Sequence, residues 1–391
     1  MPEPAARQTQ HLILVLGLGA MASNLATRAL DPLVGVLAEE FGASPARVAL
    51  LATAFALPYA LVQPVLGPVG DAIGKRLVIR AALAVLALAL AASALAPDLG
   101  SLAALRVLAG AAAGGVFPLS IALLGDRVPI ERRQVALSRL LVAGLTGSAG
   151  GGALSALLEP VIGWRGVLLL CAAVAVVGFV ALRERAEADA TPASSSHRPN
   201  LAEVMQRYRH ILGLPAARLL YGAVFLEGTL LFGVFPFLAP VLMARGHGGA
   251  AEAGIAIAGF ALGGFAFAAL APLLLRRLGQ GRMVRLGGAV GAAALSTIAL
   301  APSAAVLVLG CVLLGLGFYM MHTSIQTRVT EVAPTARGSA VALHAFSFFL
   351  GQSLGPVALG ARGTLLGIEA TLLFAAAGLA ALGWRLGRRG H

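Results

Sequence analysis

The chain has 391 residues, of which 59% are hydrophobic and 12% charged, with a mean hydropathy of +0.89. That balance excludes a soluble globular domain and points to a polytopic membrane protein, because a bilayer crossing needs about 20 mainly apolar residues. The net charge of +12 and pI of 11.3 would suit a nucleic-acid partner in a soluble chain, but here the cations collect in the breaks between apolar runs, so no nucleic-acid partner is expected.

Apolar runs fall at 11–38, 46–66, 77–96, 101–124, 134–158, 164–182, 213–242, 252–275, 283–301, 304–327, 338–361 and 364–384, which predicts twelve membrane helices. The first carries Ala20-Met21-Ala22, which imitates a processing site, yet the apolar run continues to Ala38 and is read as a retained helix. Cations occupy alternate connections: 23 of the 29 lie on the face that carries both termini and four on the other, with Arg28 and Arg106 inside spans. By the positive-inside rule both termini are expected in the cytoplasm. Cys171 and Cys311 lie in apolar runs with no second ligand at metal spacing, so neither a disulfide nor a metal site is expected.

The longest polar break separates residues 1–182 from 213–391. Its first part, 183–199, mixes charge with Ser, Ala and Pro and reads as a flexible linker. From Asn200, with Glu203 three residues on, a capping pattern opens a short amphipathic helix carrying Leu201, Val204, Met205, Tyr208, Ile211 and Leu212, expected at the membrane surface. The flanking halves look related. An offset of 204 pairs Pro32 with Pro236, Gly42 with Gly246, Pro68 with Pro272, Arg133 with Arg337, Gly147 with Gly351 and Gly151 with Gly355.

Between the second and third runs stands Gly67-Pro-Val-Gly-Asp71-Ala-Ile-Gly74-Lys75-Arg76. This stretch resembles the signature loop of the major facilitator superfamily, except that Ala72 stands where that pattern has a cation. Arg106, Gly110 and Gly114 follow the spacing of a second motif of its proton-coupled members, with Ala109 in place of Gln. The run Gly144, Gly147, Gly150, Gly151 and Gly152 resembles the antiporter motif of helix 5 without its proline; a Gly-Pro pair appears instead at Gly355-Pro356. The whole is similar to the bacterial twelve-helix drug and sugar efflux branch. The resemblance implies an all-α membrane fold of two pseudo-symmetric six-helix halves with the substrate site between them. It also implies that Asp71 caps a helix of the opposite half and that Lys75 and Arg76 reach an acid at the end of helix 4, here Asp126. Gly67, Asp71, Gly74, Lys75, Arg76 and Asp126 are then the gating set.

Ionisable groups inside a membrane are functional candidates by default. Arg28 and Asp31 share a face of helix 1, and Arg106 of helix 4 lies at a similar depth, so an Asp31–Arg106 pair is expected, with Asp31 taking up a proton when its partner withdraws. Glu227 is the one acid well inside a span of the second half; it and His322 complete the candidate proton-coupling set, histidine titrating near neutral pH. Tyr319 and Gln326 flank His322 by one turn. Twelve of the 16 phenylalanines follow residue 200, which predicts a cavity with a polar wall from the first half and an aromatic wall from the second. Candidate substrate contacts are Asn24, Arg28, Tyr59, Phe117, Phe232, Phe235, Tyr319, Gln326 and His344. The chain has no phosphate-binding Gly-rich loop ending in Lys-Ser or Lys-Thr and no enzyme constellation, so no cofactor, ATP use or catalysis is expected. The expected function is proton-coupled export of small amphipathic organic compounds by a monomer in a bacterial cytoplasmic membrane, with a sugar, amino-acid or organic-anion carrier as the alternative if Arg28 binds substrate. A non-transporting sensor on the same fold is the remaining class.

Overall fold

A computed structural model describes residues 4–128, 130–182, 201–333 and 336–388, and nearly all of them are helical. The predicted linker at 183–199 and the Asn200 cap lie outside the described residues. The helices are α1 (Pro4–Arg28), α2 (Val34–Glu40), α3 (Pro45–Ile73), α4 (Lys75–Ser93), α5 (Leu99–Ala113), α6 (Phe117–Arg127), α7 (Ile130–Ala181), α8 (Leu201–Gly213), α9 (Pro215–Phe232), α10 (Leu238–Ala244), α11 (Ala250–Ala299), α12 (Ala304–Val332), α13 (Arg337–Leu366) and α14 (Ile368–Arg388).

Ten stretches of these helices are long and apolar enough to cross a membrane. Two of them, α7 and α11, run to 52 and 50 residues. At about 1.5 Å per residue each would reach more than twice the thickness of a hydrocarbon core of about 30 Å. Each is broken at a glycine with positive φ, Gly163 at 67° and Gly279 at 66°. Only glycine adopts that conformation freely, so the chain turns there and each stretch supplies two crossings. Twelve spans result, at the predicted places.

Span 1 is α1 and α2 joined through a 3-10 turn at Asp31–Leu33; span 7 is α9 and α10 joined through a 3-10 turn at Phe235–Phe237. The cause is the same in both. Pro32 and Pro236 lack an N–H, so the helix cannot bond back to the carbonyls of Arg28 and Phe232 and tightens locally. These turns lie 204 residues apart. Helix contacts repeat with the same offset: a Cβ on Gly147 would overlap the backbone of Met21, and one on Gly351 that of Phe225. Gly151 lies likewise against Leu25, and Gly355 against Thr229. Spans 1 and 5, and spans 7 and 11, therefore approach at backbone contact, which only small residues allow.

A further pair of matching contacts sits on the face away from the termini. Arg165, at the start of span 6, ion-pairs with Glu40 at the end of span 1 and reaches the carbonyl of Ala96 at the end of span 3. In the second half Arg245, at the end of span 7, pairs with Glu369 at the start of span 12 at 3.1 Å and donates to the carbonyls of Ile298 and Ala299. The clasp recurs with its charges exchanged.

Two hydrophobic clusters form the core, one drawn from residues 13–182 and the other from 204–386 with Ala49. Several contacts between them lie toward the face opposite the termini: Gly35 on Met243, Gly152 on Ile257, Gly254 on Ala156, and Thr53 donating to the carbonyl of Ser353 at 2.6 Å. Between the spans and the linker, α8 buries Val204, Tyr208 and Ile211 against the second cluster and leaves Met205 and Leu212 exposed.

Candidate functional site

The 3-10 turns of spans 1 and 7 touch each other, and buried charges, Arg28, Asp31 and Arg106 among them, lie at or beside the first. Arg28 is the last residue of α1, and Asp31 opens the turn one helical step later. Arg28 Nη1 lies 3.0 Å from Asp31 Oδ2, and both side chains are buried. Asp31 thus takes its partner from its own span, not from span 4 as the sequence suggested. The three-residue spacing puts the two groups side by side, and the break at Pro32 lets both face the same way. Arg106 stays close, only 1% exposed, but its Nη1 donates to the carbonyl of Ala26 at 2.9 Å and its guanidinium stacks 4.2 Å from the ring of Phe55.

Across the seam, the Arg28 guanidinium lies 4.7 Å from the ring centre of Phe232 and 4.9 Å from that of Phe235. These rings belong to an aromatic cluster of the second half. Phe232 meets Phe260, Phe318 and Phe348 edge-on at 5.1–5.5 Å. The rings pack upon one another and form a consolidated body rather than a row of separate side chains.

At the edge of this cluster, Glu227 is wholly buried on α9, and its Oε2 lies 2.8 Å from Nδ1 of His322 on α12. The contact joins two groups that each accept when unprotonated, so one proton must sit between them. Phe318 and Phe348 flank the imidazole at 4.7 and 4.8 Å, and the ring of His344 is 5.0 Å away. Glu227 Oε1, His344 Nε2 and Gln352 Oε1 are buried with no hydrogen-bond partner. His344, Phe348 and Gln352 recur every four residues, forming one stripe of α13.

The remaining candidates scatter. Asn24 donates to the carbonyl of Ala20 at 2.8 Å and, with the ring of Phe117, lies against Gly144. Tyr59 is buried with its ring 4.1 Å from Phe349. Tyr319 meets Phe318 edge-on and stacks on Phe267, and Gln326 is exposed. Among the described residues no hydrogen bond joins either of them to His322. In the signature stretch, Gly74 has φ +99° and divides α3 from α4. Lys75 Nζ lies 2.8 Å from Asp126 Oδ2, while Arg76 donates to the carbonyl of Leu182 at 2.8 Å. Gly67 lies inside α3, and the Asp71 side chain lies outside the described residues. The sequence reading missed Phe260, Phe318, Phe348 and Gln352. For Phe318, Phe348 and Gln352 the signal was the four-residue spacing from His322 and His344, which places Phe318 and Phe348 one turn away on the same faces; Phe260, on α11, has no such signal.

Over 367 residues the chain is 24% identical to the MFS-type transporter YwfA of Bacillus subtilis, covering 94% of this chain and 89% of that one. It is 27% identical over 168 residues to the 4-hydroxybenzoate transporter PcaK of Pseudomonas aeruginosa, covering 43% of this chain and 38% of that protein. Among solved structures, a bacterial homologue of the human lysosomal transporter Spinster superposes with a TM-score of 0.75 at 18% identity, covering 99% of this chain and 98% of that one. The family model for the Major Facilitator Superfamily matches residues 16–356. A multi-pass helical chain with two related halves, their broken spans meeting at a buried charged centre, is thus no enzyme but a transporter, and it belongs to the major facilitator superfamily.

Proposed function

We propose that this transporter exports small amphipathic organic compounds, cations foremost, in exchange for protons. The observation that carries the reading is the buried Glu227–His322 pair, which holds one proton at the edge of an aromatic cluster. The Arg28 guanidinium on Phe232 and Phe235 supports it, because it marks ring faces that accept a cation. A substrate cation that takes the same faces and draws on Glu227 competes with the proton for that carboxylate. Competition for one site gives exchange. Asp31 and Arg106 are a second coupling centre in this proposal, and Asp71, Lys75, Arg76 and Asp126 hold the gate on the terminal face. The excess of cations on that face supports a bacterial cytoplasmic membrane with both termini in the cytoplasm and residues 1–182 and 213–391 as rocking halves of a monomer.

A specific observation favours a second reading, an organic-anion carrier. Two buried arginines, Arg28 and Arg106, face one buried carboxylate in the first half, leaving positive charge for an anionic group. PcaK, a 4-hydroxybenzoate transporter by name, fits that class.

The test is efflux of a fluorescent lipophilic cation from cells expressing the wild type or Glu227→Gln, with and without a protonophore, beside uptake of labelled 4-hydroxybenzoate. Rapid efflux that stops with the protonophore and in the variant supports export. Dye retention equal to empty-vector cells despite good membrane expression, with uptake of the acid that is lost in Arg28→Gln, replaces it with the anion reading.

A further inference from the structure

Span 2 carries a defect that another element repairs. Pro58, Pro64 and Pro68 all lie inside α3. Because Pro68 has no N–H, the carbonyl of Pro64, four residues earlier, has no helical donor. The hydroxyl of Tyr208, on the linker helix α8, donates to that carbonyl at 3.1 Å. The ring of Tyr208 is buried beside Val204 and Ile211, which belong to the second half's core. Burial holds its phenol above the usual range, so the hydroxyl stays a donor. The bond therefore links an element anchored on the second half to a span of the first, three residues before Gly-Pro-Val-Gly-Asp71. It is made in an arrangement in which several of the contacts between the halves, Gly35 on Met243, Gly152 on Ile257 and Thr53 to Ser353, lie toward the opposite face, while Tyr59 packs on Phe349 and Arg28 on Phe232.

We propose that α8 is a conformational clip: Tyr208 holds the Pro64 carbonyl while the terminal face is open and releases it as that face closes. The clip acts through the backbone of span 2, independently of the substrate and of the coupling ion. Rocking the terminal ends of the halves together shifts span 2 against α8, and a single hydrogen bond of fixed geometry does not follow that movement. The carbonyl vacated by Pro68 has no competing helical donor, which leaves both of its lone pairs to the hydroxyl.

The test uses the full-length transporter in lipid, spin-labelled at Gly125→Cys and Thr327→Cys, at the terminal ends of spans 4 and 10. A Cβ at Gly125 meets nothing within 4 Å, Thr327 is exposed, and the native Cys171 and Cys311 are buried. Tyr208→Phe keeps the ring and removes the donor; Pro68→Ala restores an N–H, so α3 satisfies its own carbonyl. Tyr208→Phe should raise the ratio of short to long label distances by about fivefold, the size of one net hydrogen bond; Pro68→Ala should raise it by less, because the restored N–H shares the oxygen with the hydroxyl, and the double variant should go no further than Tyr208→Phe. An unchanged ratio in Tyr208→Phe, a larger rise in Pro68→Ala than in Tyr208→Phe, or a double variant that shifts by the product of the two overturns the proposal. None of these outcomes depends on transport, so they stand apart from the fate of the export reading.

Discussion

Replacing His322 with Phe isolates what the buried pair contributes to folding from what it contributes to transport. Phe fits the slot between Phe318 and Phe348, so little packing is lost. Glu227, however, loses the one partner it has: it is fully buried, and its Oε1 already has none. An orphaned buried polar group costs about 1–3 kcal/mol, and a charged one more. Glu227→Leu should cost less, about 1 kcal/mol, because His322 keeps 14% of its side chain exposed and its Nδ1 can turn to water. Joining the two changes leaves apolar groups on both sides, and the double variant should return to within about 1 kcal/mol of the wild type. Thermal unfolding of the purified protein in one detergent gives the order: His322→Phe lowest, Glu227→Leu intermediate, the double variant close to wild type. The proposed proton-coupled efflux should be lost in all three. If the double variant is less stable than His322→Phe, the pair contributes more than its desolvation costs, and the asymmetry argued from burial is wrong.

The symmetric helix contacts make a second prediction: Gly147→Ala and Gly351→Ala should each destabilise by about 1–3 kcal/mol or prevent folding, because the Cβ meets backbone that cannot turn aside. By contrast Gly125→Ala, which meets nothing, should be neutral in the same unfolding assay. At the clasp, Glu40→Arg with Arg165→Glu should recover only part of the loss of either single change, since a glutamate at 165 cannot donate to the carbonyl of Ala96. The pair is half exposed, so each effect should stay near 1 kcal/mol or below in thermal unfolding. Arg28→Lys keeps the charge yet loses the planar contact with Phe232 and Phe235, and should weaken dye efflux at sub-saturating substrate while leaving expression intact.

The twelve spans and their turns were legible in the sequence because hydrocarbon imposes a length and forbids unpaired backbone, so apolar runs and their breaks map directly onto crossings. The repeat was legible too. Proline and glycine act through the backbone, and Pro32 with Pro236, Gly147 with Gly351 and Gly151 with Gly355 make the same local event in each half. Which side chains meet was decided by the tertiary structure. Arg28 and Arg106 are equally good partners for Asp31 by charge and depth; the Pro32 turn gives the contact to Arg28, while Arg106 is taken by the Ala26 carbonyl and Phe55. Likewise nothing local in the chain joins Glu227 to His322, Glu40 to Arg165 or Tyr208 to Pro64, residues about 95 to 144 positions apart. Periodicity and backbone chemistry travel along the chain and can be read there, whereas the partner of a buried polar group is set by helices that approach only once the bundle is assembled.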